Sequence, residues 1–149
     1  MTKAIEAADQ LGLNYEVTRH GRVNSLEEAA AARGIEPASL IKTIVVRLSD
    51  DDYRFVLVPG DREIAWPKLR ALLGVNRISM PDKDTAFAVT GYVRGTITPL
   101  GSTHAWPVVA DDRITGTISI GGGDHGVGIT VNADDLFKAL NATVADVTD

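Results

Sequence analysis

The residues of this 149-residue chain best suited to chemistry are one lysine in an apolar run and two glycine-rich stretches. Lys42 stands within Leu40-Ile41-Lys42-Thr43-Ile44-Val45-Val46-Arg47-Leu48, a β-branched run that reads as a buried strand. Lysine is almost never fully buried without a partner. Lys42 therefore either snorkels to water from a strand start or offers its ammonium to a ligand through charge-assisted hydrogen bonds. Alternation puts Lys42 on the face of Ile44 and Val46, opposite Thr43, Val45 and Arg47. The second stretch, Gly91 to Gly101, reads GYVRGTITPLG between apolar flanks. Its glycines permit positive φ and close approach of a ligand, and Pro99 biases Thr98 to an extended form, so a shaped loop is expected. The third stretch, Gly121-Gly122-Gly123, exposes backbone amides suited to an oxyanion or carbonyl oxygen; a hairpin bulge is the plainer alternative. Gly121-x-Gly123-x-x-Gly126 matches a dinucleotide fingerprint by letter only. The residues after it, Val127 to Val131, read as a strand, whereas that fingerprint opens a helix.

The remaining chemistry is bounded by what the chain lacks. It has no cysteine, which removes thiol nucleophiles, disulfides and thiolate-held zinc and is compatible with a reducing cytoplasm. His20, His104 and His125 have none of the local spacings of a metal site. His125 follows the third stretch and is placed to touch whatever binds there. His104, beside Trp106, reads as structural or solvent-facing. No Gly-x-Ser-x-Gly elbow and no phosphate-binding P-loop is present. The net charge of −5 disfavours a wide duplex-binding surface. Residues 61–94 nevertheless hold Arg62, Lys68, Arg70, Arg77, Lys83 and Arg94 against four acids, which leaves room for contact with a short nucleic-acid end. No apolar run long enough for a signal peptide or membrane span opens the chain.

The elements that must position these residues are short. Helices are expected over 3–12, from the Ser25…Glu28 capping box to Gly34, over 66–74, and from Asn132 to about Leu140, with a further helical turn starting at Pro81-Asp82-Lys83-Asp84. Strands are expected over 14–19, 40–48, 53–59, 107–110, 114–120 and 127–131, with an edge strand over 144–147 and a hairpin at Asp50-Asp51-Asp52. This predicts one α+β domain over 1–149, with a mixed, largely antiparallel sheet curling towards a barrel and small helices around it.

Taken together, SLEEAAAARGIEPASLIKTIVV, VLVPGDREI, GYVRGTITPLG and ISIGGGDHGVGITVNADDLFKAL resemble, in order and spacing over about residues 3–147, the YbaK family of aminoacyl-tRNA deacylases. That family is related to the editing domain of bacterial prolyl-tRNA synthetases. The resemblance implies a cytoplasmic trans-editing hydrolase that needs no cofactor and no metal. Its substrate would be the ester of a mischarged small amino acid (Ala, Ser or Cys) on tRNA-Pro or a similar tRNA. It maps the family's signature lysine onto Lys42 and implies catalytic roles for Lys42 and Gly95. Substrate contacts are implied for His20, Thr43, Gly91, Tyr92, Pro99, Gly101, Gly121, Gly122, Gly123 and His125. The implied partners are the CCA end and acceptor stem of aminoacyl-tRNA, with a synthetase as a further one, and neither DNA nor a membrane. Thr96 stands where some members have glycine. Asp124 stands where cysteine-specific members carry a basic residue, and Gly128 near their aspartate, which argues against cysteine. The rival readings are a non-catalytic module that binds tRNA or a synthetase, and a small-ester hydrolase.

Overall fold

Local capping chemistry sets the helices. In the computed structural model, which describes residues 1–149, helix α1 (Lys3–Gln10) starts where the Thr2 hydroxyl accepts the Ile5 amide at 3.1 Å. Helix α2 (Leu26–Ala32) starts at Ser25, whose Oγ accepts the Glu28 amide at 3.1 Å. The Glu28 carboxylate reaches back to the Asn24 amide at 2.8 Å, a capping box displaced by one residue. Helix α3 (Trp66–Leu73) carries Pro67 in its first turn and stops at Gly74, in the left-handed region at φ 68°. Helix α4 (Lys83–Thr90) is capped by Asp82 and α5 (Ala133–Ala139) by Asn132.

The strands are β1 (Tyr15–Arg19), β2 (Ile41–Ser49), β3 (Asp52–Pro59), β4 (Val108–Asp111), β5 (Thr117–Gly121), β6 (Val127–Asn132) and β7 (Thr143–Ala145). They form two sheets. One is antiparallel in the order β1-β6-β5; the other is mixed in the order β2-β3-β4-β7, with β4 parallel to both its neighbours. The expected α+β class holds, but the sheets do not close into a barrel. A single parallel bridge, Leu40 to Ser119, joins them. Strand β5 also starts later than 114, because Ile114 is tied into a turn on Asp111 and Gly116 sits at φ 71°.

The main core lies between the sheets. Ile41, Val45, Phe55 and Leu57 meet Ile118, Ile120 and Ile129, with α1 and α5 closing the ends. The opposite face of the mixed sheet carries a smaller core, in which Val46, Val56, Val58 and Val109 pack against Leu69 of α3 and Val147. Burial on both faces explains the unbroken apolar run of β3. An ion-pair network fastens the C-terminal segment. Buried Asp111 accepts the Val147 amide, and Arg113 bridges Asp111 and Asp146, which also meets Lys68.

Gly60 lets the chain leave β3 directly beneath the turn that leads into β2. A Cβ at Gly60 would lie 2.5 Å from the Pro37 carbonyl oxygen and 2.6 Å from that of Leu40. Both are backbone atoms that cannot rotate away. Gly60→Ala is expected to cost about 1–3 kcal/mol in urea-induced unfolding, the range of an overpacked site.

Candidate active site

Strand β2 is bonded to β3 along one side only. Its other side is used at Leu40, by Ser119, and at Arg47. The Arg47 amide donates to the Ser79 carbonyl at 2.7 Å and the Arg47 carbonyl accepts the Ser79 amide at 3.0 Å, so the Arg47 backbone faces away from β3. Alternation turns the backbone groups of Thr43 and Val45 the same way. Phe55, opposite Val45, agrees with this register, since its amide donates to Pro107 on the far side. The unpaired edge faces a cleft of about 690 Å³ between α2, β2, the connector 80–83, the loop 94–97 and the end of β5. That volume suits a small-molecule or cofactor-sized ligand.

Thr43 concentrates the unsatisfied polarity of this cleft. Besides its outward backbone groups, its Oγ1 is buried without any hydrogen-bond partner. A buried hydroxyl left unpaired is a cost to folding, so its presence points to use. Lys42 leaves β2 from the other face. Its Nζ donates to the Arg62 carbonyl at 2.6 Å and meets the Glu63 carboxylate at 3.5 Å, with the side chain 27% exposed. An ammonium has three N–H groups. Lys42 is thus tethered at the rim and retains a donor for a ligand. Gly95 and Gly121 complete this wall of the cleft. Gly95 is exposed at φ 89°, and its amide has no acceptor in the protein.

The cleft is cationic although the chain is acidic. Arg33, Lys42, Lys83 and Arg94 line it against a single acid, Asp82. The Asp82 carboxylate accepts the Thr85 amide at 2.8 Å at the start of α4, and that bond holds its pKa below the usual carboxylate value. A second basic recess on the same connector gathers Arg47, Arg70 and Arg77 around Ser79.

The other expected residues are placed differently. Gly91, Tyr92, Pro99 and Gly101 do not line the cleft. Tyr92 is buried, and its hydroxyl donates to the Leu100 carbonyl at 2.6 Å, closing the loop upon itself. Gly101 passes so close to α1 that a Cβ would lie 2.5 Å from the Lys3 carbonyl oxygen. Gly122 and Gly123 lean on α1 as well. The Gly122 amide donates to Val127, its carbonyl accepts the Thr2 hydroxyl at 2.6 Å, and Gly123 abuts Tyr92 and Ala4. His125 lies over Gly95, its Cε1 3.4 Å from where a Cβ there would be. His20 packs beside the cleft, joined to it through Arg33, whose Nε donates to His20 Nε2 at 3.2 Å. His104 stacks on Trp106 with centroids 3.8 Å apart, away from this site. Arg33, in the cleft wall, is not among the residues expected from the sequence, and Lys83 is expected only as part of the basic stretch 61–94. Each looks like an ordinary charge at a helix end until the helices dock.

Comparison with known proteins identifies the family and the fold. A family model described as "Aminoacyl-tRNA editing domain" matches residues 20–139. The chain is 25% identical over 126 residues to the Enterococcus faecalis protein named "Putative Cys-tRNA(Pro)/Cys-tRNA(Cys) deacylase EbsC", covering 83% of this chain and 77% of that one. It is 30% identical over 124 residues to a proline–tRNA ligase of Geotalea daltonii, where the match covers 83% of this chain but only 21% of the ligase. The chain thus spans about a fifth of the length of that ligase. A solved structure described as "a putative trans-editing enzyme for prolyl tRNA synthetase" superposes with a TM-score of 0.89 at 20% identity, covering 99% of this chain and 95% of the other. That likeness establishes the shared fold.

Burial pushes the Tyr92 phenol up to about 12. The unfolded chain ionises this tyrosine near pH 10, so between about pH 10 and 12 the folded state binds the extra proton and stability falls as pH rises. Tyr92→Phe is expected to flatten that part of the stability-versus-pH curve. At neutral pH it should still lower stability by about 1–3 kcal/mol, because the Leu100 carbonyl loses its donor. Chemical denaturation of both proteins at neutral and alkaline pH checks this.

Proposed function

Because the chain belongs to the aminoacyl-tRNA editing domain family, we propose that it is a deacylase acting in trans on mischarged aminoacyl-tRNA. The reaction is hydrolysis of the ester between a small amino acid and the terminal adenosine. Water attacks the carbonyl, the ester C–O bond breaks, the ribose oxygen leaves with a proton from that water, and the free amino acid departs. An activated ester needs no covalent nucleophile, so a site without cysteine suffices. The observation that carries this reading is the orphaned Thr43 hydroxyl, buried behind an unpaired strand edge in the same cleft that the free Gly95 amide lines. Those donors suit a substrate carbonyl and the negative charge that develops on it. Gly121 supplies the close approach of backbone on the same wall. Lys42 holds the terminal ribose or phosphate from the rim, and His125, over Gly95, borders the amino-acid end.

Recognition of the CCA end alone touches few phosphates and tolerates a net charge of −5. The arginines of the recess around Ser79 extend the cationic surface along the connector and suit the acceptor stem. A cytoplasmic location and a synthetase partner accompany this reading. The specific amino acid is open among Ala, Ser and Cys; the Enterococcus relative is named for cysteine, while Asp124 and Gly128 depart from the cysteine-type pattern.

A panel of Ala, Ser and Cys esters on tRNA-Pro and on non-cognate tRNAs tests the proposal. One pair should be hydrolysed rapidly, with apparent affinity falling as salt rises. Lys42→Ala should lower kcat/KM at least about tenfold, the value of one charge-assisted hydrogen bond. Thr43→Val should lower it about 10–100-fold while leaving the melting temperature equal or higher, since it removes an unpaired buried hydroxyl. Retained tRNA binding with no turnover of any pair would favour a binding module instead.

A further inference from the structure

Arg33, at the C-terminal end of α2, is half-buried and has no carboxylate partner. Its Nε donates to His20 Nε2 at 3.2 Å and its Nη1 to Ser119 Oγ at 3.3 Å. A guanidinium has five N–H groups in a planar fork. The two on Nη2 and one on Nη1 remain without a protein acceptor. Burial holds its pKa below the usual arginine value, and no neighbouring acid offsets the effect. A partly desolvated cation with free donors is costly in the empty protein and favourable once an anion arrives.

The space Arg33 occupies exists because residue 128 is glycine. A Cβ at Gly128 would lie 2.8 Å from Arg33 Nε and 2.9 Å from its Cδ. Any side chain there would displace the guanidinium or, if acidic, neutralise it. Ser119 further fixes the fork, two residues before Gly121 on β5, so that Arg33 and Gly121 line the same cleft.

We propose that Arg33, seated over Gly128 and oriented by His20 and Ser119, forms an oxyanion-binding subsite of the cleft. Building on the deacylase reading, this subsite receives a substrate oxyanion by a charge-assisted, fork-shaped contact. In an aminoacyl-tRNA charged with Ala, Ser or Cys, the group near the ester that carries that chemistry is the phosphate joined to the terminal adenosine. Lys42 anchors the ligand at the rim, and Arg33 sets which end of it lies against β5 and β6.

The test uses binding rather than turnover, so it stands even if no tRNA is hydrolysed. Adenosine 5′-monophosphate, adenosine and N-acetylaspartate are titrated into the wild type, Arg33→Gln and Gly128→Asp, by calorimetry and by the Arg Nε–H resonances in NMR. If the phosphate is read, the monophosphate should bind the wild type about tenfold or more tighter than adenosine and shift the Arg33 resonance. Both variants should lose that difference while keeping the wild-type fold by circular dichroism. N-acetylaspartate is the generic-anion control: if the two nucleoside ligands bind alike and N-acetylaspartate alone shifts Arg33 in the wild type, the phosphate assignment is overturned. An Arg33 resonance unmoved by either anion, or a preference for the monophosphate that survives in both variants, would overturn the subsite. Gly128→Asp displaces or neutralises the guanidinium with Arg33 still in the chain, so it tests the subsite without deleting the arginine.

Discussion

Everything at the cleft depends on a strand that is hydrogen-bonded on one side and left open on the other. Strand β2 is held firmly by β3, and both faces of the sheet around it are buried by two separate cores. Its outer edge is closed only at its ends, by Ser119 and by Ser79. Between those bridges the backbone presents donors and acceptors at fixed spacing, on one of the least deformable elements of the fold. Open strand edges invite pairing with another chain. Here the edge is roofed by the loop 94–97 and the connector 80–83, so that a ligand can reach it and a second strand cannot readily align.

Charge follows the same division of labour. The acidic residues that give the chain its negative balance gather at the C-terminal side, where Asp111 and Asp146 are neutralised by Arg113 and Lys68 and serve to fasten the mixed sheet. The cations of the cleft have few such partners. Lys42 meets one exposed carboxylate and one carbonyl, and Arg33 meets only neutral groups. A protein can therefore repel polyanions on average and still attract one locally, because fields from paired charges cancel within a few ångströms while unpaired ones persist across a low-dielectric cleft.

Much of this was written in local chemistry. The helices carry their own punctuation, as at Ser25 with Glu28 and at Pro67 with Gly74, and Lys42 stands out as a cation between Ile41 and the β-branched residues Thr43 to Val46. The glycine–proline loop is legible as a loop, but the part each residue plays in it is not. Tyr92 and Gly101 read equally well as ligand contacts or as a clamp, and only their packing against Leu100 and Lys3 distinguishes the two. The parallel pairing of β4 with β3 and β7 depends on contacts far apart in sequence, which no short window contains. Arg33 is hidden for the same reason. It ends an alanine-rich helix like any solvated arginine, and its setting arises only when α2 lies across Ser119 and Gly128.

Helix α1 contributes no residue to the cleft wall, yet both glycine loops are built against it. Thr2 and Ala4 touch Gly122 and Gly123, and the Lys3 carbonyl limits Gly101. The helix is thus a common datum for two segments that the chain order separates by some twenty residues. Both loops take their position from one support, much as two marks on one ruler share a single edge.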